Sequence, residues 1–129
     1  AIAYNFVDKN AVVCAVMDAR RMQFYNALFR VQNGKVERLC DDRAISIEDL
    51  RSDLKQYDKV IIAGDGANLC FQNIELENCS LADDDRIYQN AVGVAKAAQN
   101  KNAISPKALM PVYLRQSQAE RELKLKLKR

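Results

Sequence analysis

The chain has 129 residues, 49% of them hydrophobic and 29% charged, which is the make-up of one domain large enough to bury a core. Its net charge of +3 is unevenly placed: residues 115–129 hold six Lys or Arg against two Glu, so residues 1–114 sum to −1 and a broad nucleic-acid surface is disfavoured. Histidine is absent, which excludes Ser-His-Asp and Cys-His catalysis within this chain.

In chain order, residues 11–18 (AVVCAVMD) form an apolar run suited to a central strand buried on both faces, and it ends on the charged cluster Asp18-Ala19-Arg20-Arg21. Residues 23–31 alternate as a strand of mixed burial. Asn33-Gly34 then supplies a hairpin turn, and residues 35–40 return as its partner. Ser46 followed by Asp49 resembles a capping box, and Ile47, Leu50 and Leu54 recur at helical spacing, predicting a helix over 47–56. Residues 59–63 (KVIIA) read as a buried strand opening into Gly64-Asp65-Gly66-Ala67-Asn68. A short element at 69–71 and an edge strand at 74–77 follow. A second helix is expected from the stripe Ile87, Ala91, Val94, Ala95 and Ala98, behind the acidic start Asp83-Asp84-Asp85. The basic tail alternates like a strand but carries too much like charge to pair, so residues 116–129 read as frayed and mobile beyond a lobe of 1–115.

Three antiparallel strands followed by helix-linked strands predict an α/β domain of ribonuclease-H-like type, with a mixed five-stranded sheet and flanking helices. The same arrangement is one lobe of the actin-like ATPases. Cys14, Cys40, Cys70 and Cys79 lack C-x-x-C spacing and fit reduced thiols acting as small hydrophobes, so no zinc site is expected. No run is apolar for long enough to span a bilayer, and no signal peptide is evident, so a cytoplasmic location is expected. The chain begins without Met in an apolar segment, as a domain cut from a longer protein would.

Two readings compete at the glycine turn. In one, backbone N–H groups of Gly64, Asp65 and Gly66 face a nucleotide; in the other, glycine merely permits positive φ and Asp65 caps the next turn. The spacing is neither a P-loop nor a G-x-G-x-x-G fingerprint. Asp18 and Asp65 at strand ends, with Glu48 or Asp49 as a third ligand, could bracket two Mg²⁺ ions in a ribonuclease-H-like nuclease. Arg20 and Arg21 could equally pair with Asp18. Phe24, Tyr25 and Phe29 suit either a base-stacking platform or, with no basic residues interleaved, sheet core.

Three segments together, Met17-Asp18-Ala19-Arg20-Arg21-Met22-Gln23-Phe24-Tyr25, Ile62-Ala63-Gly64-Asp65-Gly66-Ala67 and Pro111-Val112-Tyr113-Leu114-Arg115, resemble the C-terminal lobe of the TsaB (YeaZ) family of tRNA threonylcarbamoyladenosine biosynthesis. The resemblance covers nearly the whole chain up to the tail. It implies one lobe of a two-lobed actin-like fold that acts as a noncatalytic scaffold. The implied partners are a TsaD-like transferase and a TsaE-like ATPase, with tRNA met through the complex; a homodimer is compatible. No catalytic or metal residue is implied, and no cofactor in this lobe, with ATP or ADP bound only in the complete complex. Asp18, Gly64, Asp65 and Gly66 would line a vestigial interlobe cleft. Gln23 stands where the family more usually has an acid. The family's older label, a glycoprotease-like peptidase, finds no support in these residues.

Overall fold

A computed structural model describes residues 1–99 and 101–128. A 3-10 helix, Ile2–Phe6, leads into β1 (Ala11–Asp18), β2 (Gln23–Gln32), β3 (Lys35–Arg38), β4 (Arg43–Ser46), α1 (Ile47–Leu54), β5 (Val60–Ala63), α2 (Ala67–Ile74), β6 (Cys79–Leu81), α3 (Ala91–Ala98) and α4 (Gln118–Leu127). The sheet runs β3-β2-β1-β5-β6. β1 is antiparallel to β2 and parallel to β5, which is parallel to β6, so the sheet is mixed as the sequence predicts. It has six strands rather than five, because the far edge of β2 is shared: β3 pairs with Phe29 to Gln32, and β4 with Gln23 to Asn26. The six strands therefore occupy five places.

The register of β1 and β2 assigns each side chain to a face. Cys14 lies opposite Leu28 and Val16 opposite Asn26. All four are buried, in the core that includes Leu50, Leu54, Cys70 and Ile74 of α1 and α2. On the other face, Ala15 meets Ala27 and Met17 meets Tyr25. Phe24 belongs to the core at 0% exposure, whereas Tyr25 and Phe29 are half-buried on the opposite face. The three aromatics thus do not form one stacking platform.

Burial raises the thiol of Cys14, pushes Cys70 up to about 12 and Cys79 up to about 11, so all three stay protonated, apolar side chains. Among the described residues, Asn26 is the buried polar one. Its Nδ2 donates to the Ala15 carbonyl at 3.0 Å and to Cys14 Sγ at 3.3 Å, and its Oδ1 accepts from Arg43 Nε at 3.0 Å. Arg43 Nη1 then reaches Asp53 at 2.6 Å, strapping β4 to α1.

α1 starts as predicted, with Ser46 Oγ accepting from the Asp49 N–H. Four later expectations are corrected. The short element at 69–71 is the middle of α2, which ends where Glu75 turns left-handed at φ 54°; the edge strand therefore comes later, at Cys79–Leu81 rather than 74–77. The second helix does not start at the acids. Asn90 caps α3 through the Gly93 N–H at 2.8 Å, and Asn5 Nδ2 ties the Arg86 and Tyr88 carbonyls of the preceding loop to the 3-10 helix. Ala91, Val94, Ala95 and Ala98 face outward; α3 packs through Gly93, where an added Cβ would stand 2.6 Å from the Ala1 carbonyl oxygen. Finally, residues 118–127, read from the sequence as a frayed segment, form a helix begun by a capping box between Ser117 and Glu120.

Candidate functional site

β1 and β5 are parallel with Ala15 opposite Ala63, so Asp18 and the turn after β5 emerge at the same edge of the sheet. Such C-terminal edges are where open α/β sheets bind ligands. The turn, however, leans on β1. Gly64 has φ +116°, and a Cβ there would lie 2.2 Å from the Val16 carbonyl oxygen; one on Gly66 would lie 2.8 Å from the Asp18 nitrogen. The Gly66 N–H donates to the Val16 carbonyl at 3.2 Å, and that of Gly64 to Ile87 at 2.6 Å. Both glycines and both N–H groups are thus committed to the fold itself.

Asp65 is exposed and does not cap α2, whose N-cap is Gly66 with no side-chain bond. Asp18 is exposed, and its Oδ1 accepts from the Arg20 N–H at 2.7 Å. Among the described residues neither Arg20 nor Arg21 forms an ion pair with it. Nor does any group of three His, Cys, Asp or Glu side chains come together to hold a metal, so Glu48 and Asp49 do not join Asp18 and Asp65.

The structure adds a contact that the spacing could not give. Arg115 Nη1 donates to the Ala19 carbonyl across 96 residues of chain. Three distant segments, around Asp18, Gly64 and Arg115, therefore converge on the end of β1. Beside them lies a cavity of about 410 Å³ whose floor is Ala15, Met17, Tyr25, Ala27 and Phe29, on the sheet face turned away from α1 and α2. Residues 112–115 form one wall, and Arg38 lies over the Phe29 ring at 4.8 Å. Alternation puts these residues on one face within each strand, but that the two strands present them on the same face of the sheet follows only from the register.

The loop at the end of β1 was also not foreseeable from its residue types. Arg20, Arg21 and Met22 are all left-handed, at φ 69°, 54° and 57°, a conformation that costs a side chain about 1–2 kcal/mol per residue.

A crystal structure of an uncharacterized protein with similarity to peptidase YEAZ, from Pseudomonas aeruginosa, superposes with a TM-score of 0.63 at 15% identity, covering 88% of this chain. The chain has a YeaZ-like fold. This is the mixed α/β architecture of the ribonuclease-H-like and actin-like folds. The chain spans 55% of the length of that YeaZ-like structure. Comparison with protein-family models gives no match, and comparison with curated proteins gives none. No helix among the described residues is long and apolar enough to cross a membrane.

Proposed function

We propose that this chain is the counterpart of the TsaB (YeaZ) C-terminal lobe and serves as a noncatalytic accessory subunit in threonylcarbamoyladenosine modification of tRNA. The observation that carries the reading is the convergence of the three resembling segments: Arg115 on the Ala19 carbonyl, and the Gly64 to Gly66 turn on Val16 and Asp18. Segments far apart in sequence thus meet at the backbone of β1 and of the residue after it. Their role here is to hold the end of β1. In this reading Asp18, Gly64, Asp65 and Gly66 are one wall of a vestigial cleft, residues 1–115 are the lobe and 116–129 a basic appendage. The partners are a TsaD-like transferase and a TsaE-like ATPase in the cytoplasm, with nucleotide and tRNA bound by the assembled complex.

Chemistry supports the noncatalytic part. The chain has no histidine for metal or acid-base work, and its buried thiols are held protonated rather than activated. The test has two arms. The purified chain, assayed alone, is expected to neither transfer threonylcarbamoyl to tRNA nor hydrolyse ATP; turnover in either assay refutes the noncatalytic role. Size-exclusion chromatography with a TsaD-like subunit is expected to give a joint peak, and separate elution refutes the partnership.

A further inference from the structure

On the sheet face turned away from α1 and α2, the paired positions of β1 and β2 follow one another as Val13 with Phe29, Ala15 with Ala27, and Met17 with Tyr25. Two methyl groups therefore stand between two rows of larger side chains, and the surface is hollow there. This hollow is the floor of the cavity of about 410 Å³ beside the end of β1. Its volume falls within the roughly 300–1,000 Å³ usual for small-molecule sites. Tyr25 and Phe29 bound the hollow on β2, four residues apart and so about 14 Å apart along the strand at about 3.4 Å per residue. Less the thickness of these two side chains, the gap suits a fused pair of rings lying across the alanines.

The walls carry the remaining information. Residues 112–115 form one side, tied down by Arg115 on the Ala19 carbonyl, and Tyr113 stands at the edge with its side chain exposed. The charged groups of the rim are already engaged. Arg38, opposite Phe29 and over its ring, pairs with Asp42 at 2.7 Å, while Arg115 Nη1 is taken by the main chain. A bound anion would compete with Asp42 for Arg38 and give up its hydration over an apolar floor. An uncharged aromatic molecule meets no such cost and gains by burying its faces.

We infer that this cavity is a binding site for an uncharged, planar aromatic small molecule with a two-ring system. The ligand lies over Ala15 and Ala27, between Tyr25 and Phe29, and Tyr113 supplies a further aromatic contact from the wall. Because both strands of the floor are fixed by their register, little of the site has to be ordered on binding. The site is distinct from the glycine turn, since Gly64, Asp65 and Gly66 do not line it, and it does not depend on the accessory-subunit reading above.

The test titrates the full chain with N-phenyl-1-naphthylamine, an uncharged probe whose fluorescence rises on leaving water, and with its anionic relative 1-anilinonaphthalene-8-sulfonate. The expected result is one saturable site per chain for the uncharged probe, filled more tightly than by the sulfonate. Ala15→Leu places a side chain in the hollow and should weaken binding about tenfold while the protein still melts cooperatively. Tyr113→Ala, at a side chain 84% exposed and so without consequence for folding, should weaken it severalfold. If Ala15→Leu loses cooperative melting, Tyr113→Ala decides alone. The inference is overturned by the absence of saturable binding, by tighter binding of the sulfonate, or by binding to the folded variants equal to that of the parent.

Discussion

The glycine turn after β5 can be assigned to packing or to ligand binding by one substitution. In Gly64→Ala the new Cβ meets the Val16 carbonyl oxygen at 2.2 Å, a backbone atom of a central strand that cannot swing aside, at φ +116° where side chains are strained. The conformational part costs about 1–2 kcal/mol. Relief of the clash needs the turn to leave β1, which gives up the Gly66 to Val16 and Gly64 to Ile87 hydrogen bonds at about 1 kcal/mol each. The expected loss is about 3–4 kcal/mol, a large share of the roughly 5–15 kcal/mol that holds a domain together. For a chain of this size that lowers the melting temperature by roughly 10–20 °C. Gly34→Ala provides the reference, since Gly34 also has positive φ (+74°) but no atom within 4 Å of an added Cβ. It should cost about 1 kcal/mol. Urea unfolding followed by circular dichroism measures both variants. If Gly64→Ala proves no more destabilising than Gly34→Ala, the turn is free of β1 and the packing account fails.

Two further outcomes follow from the core. Cys70 and Cys79 titrate near 12 and 11 in the fold against about 8.5 in the unfolded chain, so the folded state retains protons that the unfolded state releases. Stability is then full below about pH 8.5 and falls as pH rises toward the folded values. Melting curves from pH 7 upward should show this decline, and Cys70→Ala/Cys79→Ala should make it shallower; an unchanged slope removes these two thiols as contributors. Arg43→Met strands the buried Asn26 Oδ1 without its donor and should cost about 1–3 kcal/mol in denaturant unfolding. Asp53→Asn, at a side chain 40% exposed, should cost well below that, and equal costs would move the weight from Asn26 to the ion pair.

What the sequence made legible was the part of the fold governed by short-range pattern. β1, β5 and the Asn33-Gly34 hairpin follow from apolar runs and turn chemistry, and α1 from its Ser46 cap. α3 was misplaced because small apolar residues carry a helical stripe on either face, and the choice of inner face fell to Gly93 against Ala1, a contact between chain segments 92 residues apart. α4 carried its signal in Ser117 and Glu120, overridden by the alternation of Leu123, Leu125 and Leu127. At the candidate site, Gly64 and Gly66 pack against β1, whereas Asp65 is exposed and caps nothing. The task of the glycines could not be read locally, because a glycine needed for close backbone packing and one needed for a ligand look alike until the neighbour across the gap is known.

The division of one edge of β2 between β3 and β4 bears on how the molecule behaves in a crowded solution. A continuous outer strand would offer a long row of unpaired amides and carbonyls for edge-to-edge association. Here the outer strand is broken by residues 39–42, its β3 half is the charged run Lys35-Val36-Glu37-Arg38, and the opposite border of the sheet is the three-residue β6. Neither border is long or apolar enough to template another chain, so the interruption that divides this outer strand also guards the sheet against aggregation.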